Sequence, residues 1–249
     1  DNELVLNYTN ITEFLKSIWS IKYNFLFSFY FKLKKNISVA NNELKKKYGG
    51  EIIYHGPINN DQSFKNKTNN KDKINILFGG TPRSYKGIEI LLDIINKKNF
   101  ENYILFTAGI DYENIYSKYI GLKNYKYLGL IDNSEMSSVM EKIDIIIIPS
   151  KINQFTKYQT PAKLIEAMAY SKIIITTNLP AMRELLSNNR GVILEQFNFK
   201  NLKKILLDIQ KDKSKYDKMA NNAYFYYKKN ASIDVNSKKL TKILNNIRS

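Results

Sequence analysis

Arg83 and Lys86 stand three residues apart in GGTPRSYKGIEILL, residues 79–92, between two glycines and an apolar helical pattern. That combination suits an anion. Gly79 and Gly80 let the backbone approach a ligand closely. Arg83 can fork two oxygens, and Lys86 falls at the helix start, where free N–H groups already favour negative charge. The stretch is neither G-x-G-x-x-G nor a P-loop, because the next glycine, Gly87, lies directly behind Lys86 and no Ser or Thr follows it. An ordinary turn with solvated cations is the competing reading. A second stretch, QTPAKLIEAMAY at 159–170, closely follows the apolar run IDIIIIPS. Thr160 reads as a helix N-cap and Pro161 as the first helical residue. Lys163 and Glu166 then share one face of the first turns, while Leu164, Ala167 and Met168 can turn inward. Glu166 has a structural use in complementing the helix dipole. Two cationic helix N-termini on one sheet edge would suit a diphosphate carrying a sugar.

The elements that must position these residues follow from periodicity. INILF, YILFTAG, YKYLG, IDIIIIP, KIIITT and GVILE read as strands. They alternate with helices reaching about residue 96, around 114–119, from Ser134, from Pro161 and around 181–187. Near-continuous apolar strands alternating with helices predict an α/β fold, a doubly wound, Rossmann-like parallel sheet covered on both faces. Such sheets bind ligands at the carboxyl ends of their strands, near the reversal of strand order. The loops after Phe78, Gly129, Pro149 and Thr177 are therefore the candidates. Upstream, a short strand at 37–40 leads into a helix closed by Gly49 and Gly50, and a second short strand covers 51–54. Residues 59–73 are polar and lysine-rich and read as a linker. Closing helices are expected over 203–211, 216–229 and 232–247, the last with a serine cap. The organisation expected is a partial N-terminal domain with its crossover (1–58), the linker (59–73), the ligand-binding domain (74–230) and a closing helix (231–249).

The bulk numbers narrow the chemistry. At 249 residues and 43% apolar, the chain can bury a substantial core. There is no cysteine and only one histidine, His55, so disulfides, thiol nucleophiles and zinc hydrolase sites are set aside. A reducing, cytoplasmic location fits. The net charge of +16 would suit nucleic acid or an anionic membrane face. Arginine occurs only at Arg83, Arg183, Arg190 and Arg248, however, and the lysines are scattered. Nucleic-acid readers depend on bidentate arginine, so nucleic acid is not the expected partner. No secretory pattern opens the sequence, and a first residue of Asp points to a processed chain or a fragment. The aromatic stretch at 14–35 is interrupted by Lys16, Lys22 and Asn24 and falls short of a membrane helix. It reads either as helices buried against a missing domain or as a peripheral interfacial segment at the inner membrane face.

ILFGGTPRSYKGIEILL, YKYLGLIDNSEMSSVMEKIDIIIIPS and QTPAKLIEAMAYSKIIITTNLPAMRELL, in this order, resemble the C-terminal half of a family-4-type retaining glycosyltransferase of GT-B fold. SVANNELKKKYGGEIIYHGPI resembles the end of that family's N-terminal domain. The resemblance spans residues 37–194. It implies a nucleotide-sugar donor, with its diphosphate against Gly79, Gly80, Thr81, Lys86 and Gly87 and its base near Gly129 and Leu130. Lys86 matches the family's phosphate-binding lysine. The arginine that often follows the strand-end glycine is Thr81 here, which leaves its role to Arg83. Glu166 matches the second glutamate of the E-x7-E pair, expected to hold ribose or sugar hydroxyls. The first glutamate is replaced by Tyr158, with Gln159 beside it. Thr160, Pro161, Lys163 and Leu164 complete the implied donor contacts. Glu184 either approaches the donor from the next strand end or caps its own helix. His55, in the crossover, is assigned a structural role. Lys86, Arg83 and Glu166 would carry catalysis by stabilising the departing diphosphate and orienting the donor, with no metal or cofactor required. The acceptor implied is a glycan or a lipid-linked sugar, in envelope or capsule polysaccharide assembly. An epimerase of the same fold and a non-catalytic nucleotide-sugar-binding module are the alternatives.

Overall fold

The computed structural model describes residues 37–57, 73–80, 88–112, 114–150 and 156–248. Strand β1 (Ser38–Val39), helix α1 (Asn42–Tyr48) and strand β2 (Glu51–Ile52) form a small N-terminal unit in which the two strands pair in parallel. The main body begins at β3 (Ile74–Gly79) and continues through α2 (Ile88–Ile95), β4 (Tyr103–Ala108), β5 (Tyr125–Tyr127) and α3 (Asn133–Lys142). It proceeds through β6 (Ile145–Ile148), α4 (Ala162–Ala169), β7 (Ile173–Thr177), α5 (Pro180–Leu186) and β8 (Val192–Leu194). Three helices close it: α6 (Phe199–Lys211), α7 (Lys213–Asn230) and α8 (Ile233–Arg248).

The six strands β3 to β8 form one sheet in the order β5-β4-β3-β6-β7-β8, and every pairing is parallel. The chain starts in the middle, builds outward to β5, then crosses back to β6 and builds the other way. Strand order therefore reverses between β3 and β6, and a crevice opens at their carboxyl ends.

Strand alternation explains why both faces are covered. Ile76, Phe78, Ile145, Ile147, Ile173 and Ile175 face one core, against α2, α6 and part of α7. Leu77, Ile146, Ile148 and Ile174 face the other, with α4, α5 and the C-terminal part of α7. An uninterrupted isoleucine run is what period-two geometry requires of a strand buried on both sides.

Some expected boundaries differ. The helix expected around 114–119 is only a 3-10 turn, Ser117–Tyr119. The Asp111 carboxylate accepts N–H bonds from Ile115, Tyr116 and Ser117 at 2.8–2.9 Å, and Asn114 has φ 53°, outside the helical region. Ser232 immediately precedes α8. Its hydroxyl donates backward to the Lys228 carbonyl, 3.0 Å away. Two polar side chains hold α8 to the crossover. Asn236 bonds the Tyr54 backbone N–H (3.4 Å) and carbonyl (2.8 Å), and Lys239 Nζ donates to the Ile52 carbonyl at 3.0 Å.

The crossover also passes close to α4. A methyl group at Gly56 would lie 2.9 Å from Ile165 Cγ2 and 3.6 Å from the Tyr227 ring. Ile165 is β-branched and fully buried, so it has little room to yield. Gly56→Ala is expected to destabilise the fold by about 1–3 kcal/mol, as overpacking does, read from the midpoint of urea unfolding. Residues 58–72, which hold nearly all of the polar linker, and residues 1–36 lie outside the described residues. Among the described residues no helix is long and apolar enough to cross a membrane.

Candidate functional site

Three strands end in glycine at the crevice, each turned to positive φ: Gly80 (107°) after β3, Gly109 (125°) after β4 and Gly129 (68°) beyond β5. These are conformations that L side chains rarely adopt. Backbone bonds stitch the ends together. Gly80 N–H donates to the Ala108 carbonyl at 2.6 Å, and Gly109 N–H to the Gly129 carbonyl at 2.8 Å.

Tyrosines brace this rim from below. The Tyr116 hydroxyl donates to the Gly80 carbonyl (2.7 Å), and the Tyr127 hydroxyl to the Gly109 carbonyl (2.9 Å). Tyr125 bonds the Tyr116 carbonyl and shares a 2.7 Å bond with Thr107 Oγ1. Burial pushes the Tyr125 phenol up to about 12 and the Tyr116 phenol beyond the usual phenol range, so both remain protonated donors.

Above the rim lies a cavity of about 220 Å³. Its floor and one wall are apolar, from Leu77, Ala108, Ile146, Met136 and Met140. Gly79, Gly80 and Gly109 supply bare backbone, Leu130 and Ile131 come from the loop before α3, and Lys163 and Glu166 enter from the first turns of α4. The Lys163 stem runs over Gly79, where an added methyl would sit 3.7 Å from Cδ. Burial raises the pKa of the Glu166 carboxyl, and the Lys163 charge acts in the opposite sense. No hydrogen bond to that carboxylate is made among the described residues. An acidic group held in an apolar cup is suited to accepting hydrogen bonds from ligand hydroxyls, which would stabilise its ionised form.

Of the residues expected from sequence, the cavity gathers Gly79, Gly80, Leu130, Lys163 and Glu166, with Gly129 at its edge. Thr81, Arg83, Lys86 and Gly87 lie outside the described residues. Tyr158, Gln159, Thr160, Pro161, Leu164 and Glu184 do not line the cavity.

The physical reasons differ from residue to residue. Leu164 is fully buried in the core under α4. Thr160 is not the N-cap of α4: its hydroxyl donates to the Ala40 carbonyl at 2.9 Å, leaving Pro161 at the cap position and Ala162 as the first helical residue. Tyr158 has the ammonium groups of Lys47 and Lys157 5.6 and 5.5 Å from its ring. The Glu184 carboxylate binds the Asn42 N–H and the Tyr54 hydroxyl, so it neither caps its own helix nor enters the cavity. Sequence reading missed Gly109, which carries the same strand-end glycine signature as Gly79 and Gly80. It also missed Met136 and Met140, the inward face of α3.

A parallel sheet with this strand order and a crevice at its reversal defines a doubly wound, Rossmann-like unit. The family model described as glycosyl transferases group 1 matches residues 59–225, and the chain belongs to that family. It is 28% identical over 131 residues to an uncharacterised 41.2 kDa protein in the cps region of Klebsiella pneumoniae, covering 53% of this chain and 35% of that protein. In structure it is similar to Anabaena HepE, solved in complex with UDP-glucose, with a TM-score of 0.62 and 16% identity over 85% of this chain and 64% of HepE. It is also similar to the C-terminal domain of a group 1 glycosyl transferase, LpcC, from Francisella tularensis. There the TM-score is 0.54 with 21% identity, over 72% of this chain and 96% of that domain. The fold is that of GT-B glycosyltransferase C-terminal domains. The chain thus spans about a third of the length of the Klebsiella relative and under two thirds of HepE.

Proposed function

We propose that this chain is the donor-binding portion of a family-4-type retaining glycosyltransferase. It takes a sugar from a nucleoside-diphosphate sugar and passes it to a glycan or lipid-linked acceptor in surface-polysaccharide assembly. The observation carrying this reading is the placement of Glu166 and Lys163 in the apolar crevice opposite the glycine strand ends.

In this reading the strand-end glycines let the pyrophosphate lie against backbone, and Lys86 and Arg83 supply positive charge as the diphosphate departs. The base lies near Gly129 and Leu130. Glu166 accepts hydrogen bonds from ribose or sugar hydroxyls, which orients the anomeric carbon. Charge is provided by these side chains, so no metal or further cofactor is called for. The acceptor then attacks on the face the diphosphate leaves, which retains configuration at the anomeric carbon. Cytoplasmic location, with attachment to an anionic membrane face, belongs to the same proposal.

Calorimetric titration with UDP, GDP and ADP, with Lys86→Ala alongside, tests the donor pocket. One nucleotide is expected to bind, and the variant to bind it more weakly by about 1.5–3 kcal/mol, the worth of a hydrogen bond to a charged group. Equal affinity in a folded Lys86→Ala protein would remove the phosphate role. Turnover of a sugar nucleotide to its epimer without acceptor would replace the transferase reading altogether.

A further inference from the structure

Asn41 is 1% exposed, and its side-chain amide is engaged on both sides. Oδ1 accepts from the Leu44 N–H at 2.9 Å and caps α1. Nδ2 donates to the Tyr158 carbonyl at 2.9 Å and to Thr160 Oγ1 at 3.1 Å. Thr160 in turn donates to the Ala40 carbonyl, closing a ring of hydrogen bonds between the N-terminal unit and the segment entering α4. Glu184 adds a second tie nearby through the Asn42 N–H (3.0 Å) and the Tyr54 hydroxyl (2.8 Å).

Within the segment entering α4, the Gln159 N–H donates to the Thr156 carbonyl at 3.1 Å, and Thr156 is buried. Pro161, at the cap position, makes no side-chain cap bond, and a proline carries no N–H. Within two turns the same helix delivers Lys163 and Glu166 to the crevice. The approach to the helix start is thus tied to Asn41, which lies 117 residues before Tyr158 and 119 before Thr160.

We propose that Asn41 is a positioning residue: from the N-terminal unit it fixes the start of α4 and thereby the direction in which Lys163 and Glu166 enter the crevice. This rests on the donor-pocket reading of that crevice. It makes the N-terminal unit a participant in donor selection, although none of its residues lines the cavity.

Asn41→Asp isolates the effect. The aspartate keeps the capping oxygen and the shape but replaces both N–H donors with an oxygen facing the Tyr158 carbonyl. In ligand-free protein, amide exchange in the first turns of α4 should accelerate roughly tenfold, as loss of such a bond allows, while α1 amides keep their protection. Affinity for whichever of UDP-, GDP- and ADP-glucose binds the unaltered chain should fall by roughly tenfold. Thr160→Val cuts the same ring from the other side and should give both effects. The double variant should lose little more than either single one, because both cut one ring. Unchanged exchange at α4 in both variants would overturn the proposal. So would faster exchange at α4 with unaltered sugar-nucleotide affinity, or loosening that spreads through α1. If the unaltered chain binds no sugar nucleotide, the donor reading fails, and exchange at α4 still decides whether Asn41 sets that helix.

Discussion

Leu164→Ala is expected to cost about 2–5 kcal/mol of folding stability, the range for truncating a fully buried leucine. Leu164 is 0% exposed and packs with Ile165, Met168, Ile146 and Ile174 beneath α4. The measurement is the shift in urea midpoint at constant slope. Were Leu164 a donor contact, as the family resemblance implies, the same variant would lose ligand affinity with little change in stability. The buried packing argues for the reverse. The residual folded population should bind nucleotide much as before, and a stability loss below about 1 kcal/mol would contradict the core assignment.

Glu166→Gln is expected to separate stability from recognition in the opposite direction. Burial raises the folded pKa of this carboxyl above its ordinary value of about 4.3. For a raised acid, the stability contribution is complete below the unfolded pKa and is lost as the pH climbs through the folded one. The ligand-free wild type therefore forfeits stability towards neutral pH. Glutamine has no such titration, so the variant should match or exceed the wild type at pH 7, with the difference vanishing near pH 4. Ligand binding should show the converse. A nucleotide-sugar whose hydroxyls donate to the carboxylate should lose about 1.5–3 kcal/mol, while the bare nucleotide loses less. Equal losses for the two ligands would assign Glu166 to the dipole of α4 alone. Unfolding curves at pH 4, 5.5 and 7, run beside calorimetry with both ligands, separate these outcomes.

The residues differ in how much of their role was legible. The two-faced isoleucine runs of β6 and β7 announce strands buried on both sides, and the glycines after β3 mark a strand end that needs open backbone conformations. The shared helix face that brings Glu166 and Lys163 to the crevice was legible, because spacing along one helix is a local property. The same spacing turns Leu164 inward, where it is buried, because one step along a helix rotates a side chain by about 100°; the donor contact implied for it by the family resemblance is not seen in the cavity lining. Thr160 and Glu184 were not recoverable, because the groups that claim them, Asn41, Asn42 and Tyr54, lie more than a hundred residues away. A capping preference is worth about 1 kcal/mol, and a tertiary hydrogen bond can override it. Strand order was likewise beyond periodicity, which identifies strands without saying which neighbour each will take.

The four consecutive isoleucines of β6 carry a consequence for biogenesis. In the finished sheet both edges of this strand are occupied, by β3 on one side and β7 on the other. On the ribosome the order of events is different. Residues 145–148 emerge after β3 but well before β7, and for that interval an uncharged, β-branched tetrapeptide has one unpaired edge. Short segments of this composition are the ones that stack into intermolecular sheets. Lys142, Asp144 and Pro149 bracket the run, two charges ahead of it and a residue without an N–H donor behind it. Flanking charges and a proline are the residue types that discourage such stacking. Asp144 also has a native duty, accepting the Asn75 N–H at 2.9 Å. The strand at the heart of the native sheet is thus exposed along one edge in the growing chain until β7 has emerged to pair with it.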